Sequence, residues 1–229
     1  MERIEGWFKA LMDHLTRQWL VHLAGGVAVT FAMMLLGFGI LALYLLLFGG
    51  TMLFAALKME SMALAAFFGI AMLGSLLLAL GHVTALALWL GWVRIATLRE
   101  RGEAVDWREL AWPLRHPVRV VGFGLLAGFL FFTSSALFYL PLVFIGPWLL
   151  LSAVSLAADD VGLFAALGRG WRRSGRAYGA LLLVSAVFAF CAMFIYFWPL
   201  LGPGVAAALV TSSAVAIHES LAREGGPGR

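Results

Sequence analysis

Charge is scarce in this chain. Asp, Glu, Lys and Arg make up 12% of its 229 residues, about half the share expected of a soluble domain. Cysteine is scarcer still: Cys191 stands alone within an apolar stretch. A single thiol excludes a disulfide framework and a thiolate metal cluster. Catalytic signatures are missing as well. The sequence has no HExxH metal helix, no GxSxG elbow and no GxxxxGK[ST] phosphate loop, so no enzymatic activity is expected. No cofactor, metal ligand set or catalytic residue is assigned from the sequence. The first residues do not read as a cleavable signal, because Glu2, Glu5 and Asp13 interrupt them and the apolar run after His22 is too long.

Hydrophobic residues fill the space that charge leaves, at 63% of the chain. Several runs reach the roughly 20 residues needed to cross a hydrocarbon core of about 30 Å. The spacing predicts six spans: His22–Phe48, Met62–Trp92 continuing toward Arg99, Val118–Phe138, Val143–Ala158, Tyr178–Tyr196 and Val205–Leu221. Gly49, Gly50 and Thr51 are expected to end the first. Leu140 with Pro141, and Pro199 with Gly202 and Pro203, mark the later turns.

Of sixteen Lys and Arg, only Lys58 falls on one side of this arrangement, beside Glu60; the other fifteen lie on the opposite side. The positive-inside rule then places both termini in the cytoplasm. Trp7, Trp19, Trp89, Trp92, Trp107, Trp112 and Trp171 sit near the same boundary, where an indole prefers to lie. The basic balance is explained by this topology, and nucleic acid is not expected as a partner.

A short amphipathic segment precedes the first, third and fifth spans. Ile4, Trp7, Phe8, Leu11, Met12 and Leu15 form one stripe at helical spacing. Trp107, Leu110 and Leu114 form another, opened by Asp106 and Glu109 as a capping box and ended or kinked by Pro113. In the third, Phe164, Leu167 and Trp171 are expected inward and Arg169, Arg172, Arg173 and Arg176 outward, with Asp159 and Asp160 capping its start. The expected architecture is an all-α membrane bundle of three hairpins, each led by an interfacial helix. It forms a single domain with pseudo-repeats at about 2–99, 104–158 and 159–222 and a short disordered tail at 223–229.

Segments 99–110 and 158–174 resemble the cytoplasmic elbows of YciC-like bacterial membrane proteins and of the membrane domain attached to some glycerophosphodiester phosphodiesterases. In that group an acidic residue and an Ala-Leu-x-x-Ser-Trp-type helix precede each hairpin. Gly170 stands where the pattern usually has Ser. The resemblance implies the six-helix layout; without a phosphodiesterase domain it implies no such activity.

Three groups of residues are candidates for function. Arg169, Arg172, Arg173 and Arg176 are placed to bind anionic lipid headgroups or an acidic partner, at about 1 kcal/mol each. His82 lies about twelve residues, roughly 18 Å of helix, from Arg94. An ionisable group at such depth is a relay or ligand candidate, with Ser75 and Thr84 near it. A neutral imidazole bonded to a neighbouring helix is the alternative. Thr133, Ser134, Ser135, Thr211, Ser212 and Ser213 either line a polar path or serve close packing. His14, His22, His116 and His218 cluster near the boundary, with no pair placed for haem.

The expected function is a non-catalytic scaffold or accessory subunit in a bacterial inner membrane, bound to lipids and to other membrane subunits. The alternative is a permease for a small or lipid-like substrate using His82, Ser75, Thr84 and the Ser/Thr clusters. Membrane-embedded catalysis would need Asp159 or Asp160 to converge with Glu219.

Overall fold

The computed structural model describes residues 2–57, 59–135, 140–195 and 201–224; within these ranges some helical residues, including 2–4, 7–8 and 183–195, are described by backbone alone. Among the described residues the chain is all-helical. Its helices are α1 (Glu2–Ala56), α2 (Glu60–Glu100), a 3-10 turn (Trp107–Ala111), α3 (Trp112–Arg115), α4 (Pro117–Ser135), α5 (Leu140–Ala158), α6 (Leu163–Ile195) and α7 (Leu201–Glu224).

Two of the three expected interfacial segments are not separate helices. Residues 2–21 continue into the first apolar run as α1, and the Arg-rich segment continues into the fifth as α6. Neither contains a proline, and an amphipathic turn has no reason to stop where the next turn is apolar. The second segment does break away. Pro113 and Pro117 cannot donate backbone hydrogen bonds, and they divide it into the 3-10 turn, α3 and the start of α4.

Gly49, Gly50 and Thr51 do not end the first helix, which runs to Ala56. A glycine costs about 1 kcal/mol in a helix, less than exposing unpaired backbone in apolar surroundings. Thr51 returns its hydroxyl to Leu47 O at 2.9 Å. Pro147 sits inside α5, while Pro203 falls in the first turn of α7, where proline is tolerated. The stripe residues Ile4, Trp7 and Phe8, and Lys58, Glu60, Ser134, Ser135 and Cys191, have side chains outside the described residues.

The chain divides into two compact units: Met1–Thr30 with Leu86–Arg229, and Phe31–Ala85. In the first, α5 is the central element, and every residue from Leu151 to Ala158 is buried. Leu90, Val93 and Ala96 of α2, Val120 and Phe123 of α4, Ala166 of α6 and Val215 of α7 pack around Leu149, Ala153, Val154 and Leu156. On another side Leu151 meets Ala177, Leu181, Ile217 and Leu221. A helix apolar on all faces has to be enclosed in this way or surrounded by lipid. Gly170 lets α6 approach α5 closely: a Cβ there would lie 2.7 Å from the backbone N and Cα of Ser152.

The second unit is the far half of α1 and the near half of α2. Gly74 faces Tyr44 so closely that any Cβ would collide with the phenol. Leu35, Phe38, Leu45, Leu46, Phe67, Phe68 and Met72 are all exposed.

Two stretches, Leu11–Leu53 and Ser61–Glu100, are long and apolar enough to cross a hydrocarbon core by length and composition; their most apolar windows are 0% and 6% buried. An enclosed helix of a soluble core would bury most of that surface. Apolar exposure on this scale fits association with a membrane. Pro117–Leu130 and Phe144–Ala158 are shorter apolar helices.

Candidate functional site

The first unit gathers its charged residues into two linked clusters around the C-terminal end of α2. Arg101, just past that helix, directs Nε and Nη2 onto Glu219 Oε1 of α7 at 3.1 and 2.8 Å. Its Nη2 also reaches Asp159 Oδ1 at 3.0 Å and its Nη1 donates to Ala158 O at 3.1 Å. The other Asp159 oxygen receives Arg169 Nη1 at 3.0 Å and Arg173 Nη1 at 3.1 Å. Fully buried His218 completes the group, with Nε2 against Arg173 and 3.5 Å from Asp159 Oδ2, and Nδ1 3.1 Å from Glu219 Oε1.

Burial alone would raise the Asp159 carboxyl. The hydrogen bond and charge of His218, with Arg173 and Arg101, outweigh it and hold the group well below the usual carboxylate range. Burial would likewise lower Arg101, but Glu219 and then Asp159 keep it above its ordinary value.

The capping expected of Asp159 and Asp160 is not what these carboxylates do. Among the described hydrogen bonds, none runs to them from the first N–H groups of α6. Arginines take these oxygens instead, because a full opposite charge adds Coulomb attraction that a backbone N–H does not offer. Asp160, at φ 47°, accepts from Arg119 Nη1 at 2.9 Å. The capping box at Asp106 forms only by half. Asp106 Oδ1 accepts from Arg108 N at 2.9 Å, whereas Glu109 turns to Arg94 Nε at 2.6 Å.

The second cluster links α1 to the end of α2. His14, Gln18 and His22 fall at i, i+4 and i+8, on one helical face. Glu100 Oε2 accepts from His14 Nδ1 at 2.8 Å and from Gln18 Nε2 at 3.0 Å. The two imidazoles meet Nε2 to Nε2 at 2.8 Å. Trp92 lies 5.6 Å from His22, ring centroid to ring centroid, and Gly25 leaves room for its indole. His14 and His22 are each 1% exposed. A cleft of about 310 Å³ opens between the clusters, lined by Asp13, Arg17, Glu100, Glu219, Ser220 and Arg223.

The four arginines expected to act together divide into two kinds. Arg169 and Arg173 turn toward the fold and Asp159. Arg172 and Arg176 are exposed, and no carboxylate among the described residues pairs with either. Phe164 and Trp171, expected inward, face away from the protein at 86% and 69% exposure. In the other unit His82, Ser75 and Thr84 are exposed, and the two hydroxyls return to Ala71 O and Leu80 O of their own helix at 2.8 Å each. Thr133 is also exposed, bonded to Phe129 O. Thr211, Ser212 and Ser213 are buried against their own helix, and Thr211 also accepts from Trp89 Nε1 at 2.8 Å.

Sequence reasoning singled out neither Arg101 nor the His14–His22–Glu100 group. The latter left a signal, three polar residues repeating every fourth position of α1 as its amphipathic segment passes into the apolar run. The former left none, because its partners are 58 and 118 residues away. No protein-family model, curated protein or solved structure matches this chain.

Proposed function

We propose that this chain is a non-catalytic, multi-pass protein of a bacterial inner membrane, acting as a scaffold or accessory subunit that holds anionic lipid headgroups. In this reading six spans form three hairpins, both termini are cytoplasmic, and the layout is that of the YciC-like group.

The observation that carries the proposal is the outward face of α6. Phe164 and Trp171 are set beside Arg172 and Arg176, with no carboxylate partner described for either arginine. Aromatic and apolar side chains next to basic ones suit the boundary between acyl chains and headgroups. Two such arginines contribute about 2 kcal/mol toward an anionic surface. Asp159 and Glu219 do converge, on Arg101 and His218, as membrane-embedded catalysis would need. The non-catalytic reading is favoured because these two, with Glu100 and Glu109, have their charges taken up by arginines. The permease alternative receives less support, because the hydroxyls near His82 bond their own backbone.

The test is the lipid retained when the protein is purified in mild detergent. Anionic phospholipid should be enriched over its share in the source membrane. The Arg172→Gln/Arg176→Gln double variant should lose that enrichment while keeping its helicity. Equal retention by both proteins would sink the proposal, and loss of transport on His82→Leu without loss of folding would favour the permease.

A further inference from the structure

Among the described residues, no side chain of the His14–His22 pair itself bonds to the Asp159 cluster, and its geometry has a chemistry of its own. Glu100 accepts from Nδ1 of His14. A neutral His14 therefore has its Nε2 lone pair turned toward His22, whose Nε2–H donates to it at 2.8 Å. Both nitrogens become metal ligands once the His22 proton moves to its Nδ1. A carboxylate on the far nitrogen is also the usual support of a ligating imidazole, fixing its tautomer and orientation.

His22 Nε2 stands 2.8 Å from His14 Nε2. One ion bonded at about 2.0–2.1 Å to each nitrogen spans such a gap, and a tetrahedral angle widens it only to about 3.3 Å. Three buried polar atoms in the same group, His22 Nδ1, Gln18 Oε1 and Trp92 Nε1, have no protein partner. Buried polar atoms rarely stay unpaired. Of the three, Gln18 Oε1 is an acceptor that can face a cation, whereas Trp92 Nε1 is an N–H donor that water satisfies.

We propose that His14 and His22 bind one divalent transition-metal ion of the zinc or copper class through their Nε2 atoms, with Glu100 orienting His14. Imidazole pairs suit these ions. The described residues contain no group of three or more His, Cys, Asp or Glu arranged around a metal, so water and the unpartnered Gln18 Oε1 supply the remaining positions. The route in is the cleft lined by Asp13, Glu100 and Glu219 together with Arg17 and Arg223, three carboxylates against two guanidinium groups. Glu100 belongs to both the cleft and the His14 hydrogen bond.

The experiment titrates Zn²⁺ into the full chain, purified in mild detergent with an affinity tag free of histidine, and follows binding by calorimetry. One equivalent should bind. His22→Ala should abolish saturable binding, Glu100→Gln should weaken it about 10–100-fold, and His82→Ala should bind as the parent does. No saturable binding by the parent chain, or binding unchanged in His22→Ala, overturns the site. Should His22→Ala fail to fold, the Cu²⁺ complex of the parent chain decides by electron paramagnetic resonance. Superhyperfine coupling to two nitrogens supports the pair, and an oxygen-only spectrum overturns it.

Discussion

Arg101 and Glu219, 118 residues apart, meet through two hydrogen bonds to a single carboxylate oxygen. That contact ties the end of α2 to α7, and the same guanidinium reaches Asp159 at the turn between α5 and α6. Three segments thus depend on one arginine. Each partner is largely removed from water, so the ions are worth having together and costly to separate.

Removing one member should reveal that cost. Asp159→Asn leaves Arg101, Arg169 and Arg173 without their shared charge. Arg101 remains 28% exposed at its side chain, so the loss should fall somewhat below that of a fully buried pair, at about 2–4 kcal/mol. Thermal unfolding in detergent measures it. A midpoint equal to that of the parent chain would show that the cluster carries no net stability.

The same carboxylate sets a pH dependence. Its folded pKa lies below the unfolded value of about 3.9, so the unfolded chain takes up the proton first. The stabilisation is therefore complete above the unfolded pKa and is lost as pH falls from there toward the folded one. The unfolding midpoint should drop on acidification from about pH 5 to about pH 3, and Asp159→Asn should flatten that slope. A midpoint that rises over this range would contradict the assignment.

Gly170→Ala should destabilise the chain by about 1–3 kcal/mol through overpacking. The added Cβ meets backbone atoms of Ser152 at 2.7 Å, so truncating the Ser152 side chain should not restore stability. The control is Gly168→Ala, where nothing lies within 4 Å. There the substitution should be neutral or slightly favourable, because alanine is the better helix former. Chemical denaturation of the two variants side by side distinguishes packing from propensity.

Local rules worked where the cause was local. Pro113 announced a break, Asp106 a cap and the apolar runs a helical chain, because each acts through its own backbone or its immediate neighbours. They failed where an alternative partner changed the balance. Gly49 and Gly50 look like a stop, yet the helix is the arrangement that pairs their backbone groups. Asp159 stands where a cap belongs, yet two arginines of α6 and one following α2 claim its oxygens. Arg169 and Arg173 differ from Arg172 and Arg176 only in which side of α6 they occupy, and that side matters only once Asp159 is in place. Contacts spanning most of the chain leave no trace in a short window.

Sidedness is the remaining consequence, and it bears on the charge asymmetry itself. In the proposed topology Lys58 is the lone basic residue of the nearly charge-free side, and Arg172 belongs to the basic one. In a Cys191→Ala background, Lys58→Cys should react with a membrane-impermeant maleimide added to intact cells or right-side-out vesicles. Arg172→Cys, on the exposed face of α6, should react only after the membrane is opened. The positive-inside rule requires this order, since basic loops are retained on the cytoplasmic side. Reaction of both positions from the same side would remove the three-hairpin topology and, with it, the reason for placing Arg172 and Arg176 against the cytoplasmic leaflet. Reaction in the reverse order would keep the hairpins but turn the basic face outward, where an anionic leaflet no longer accounts for it.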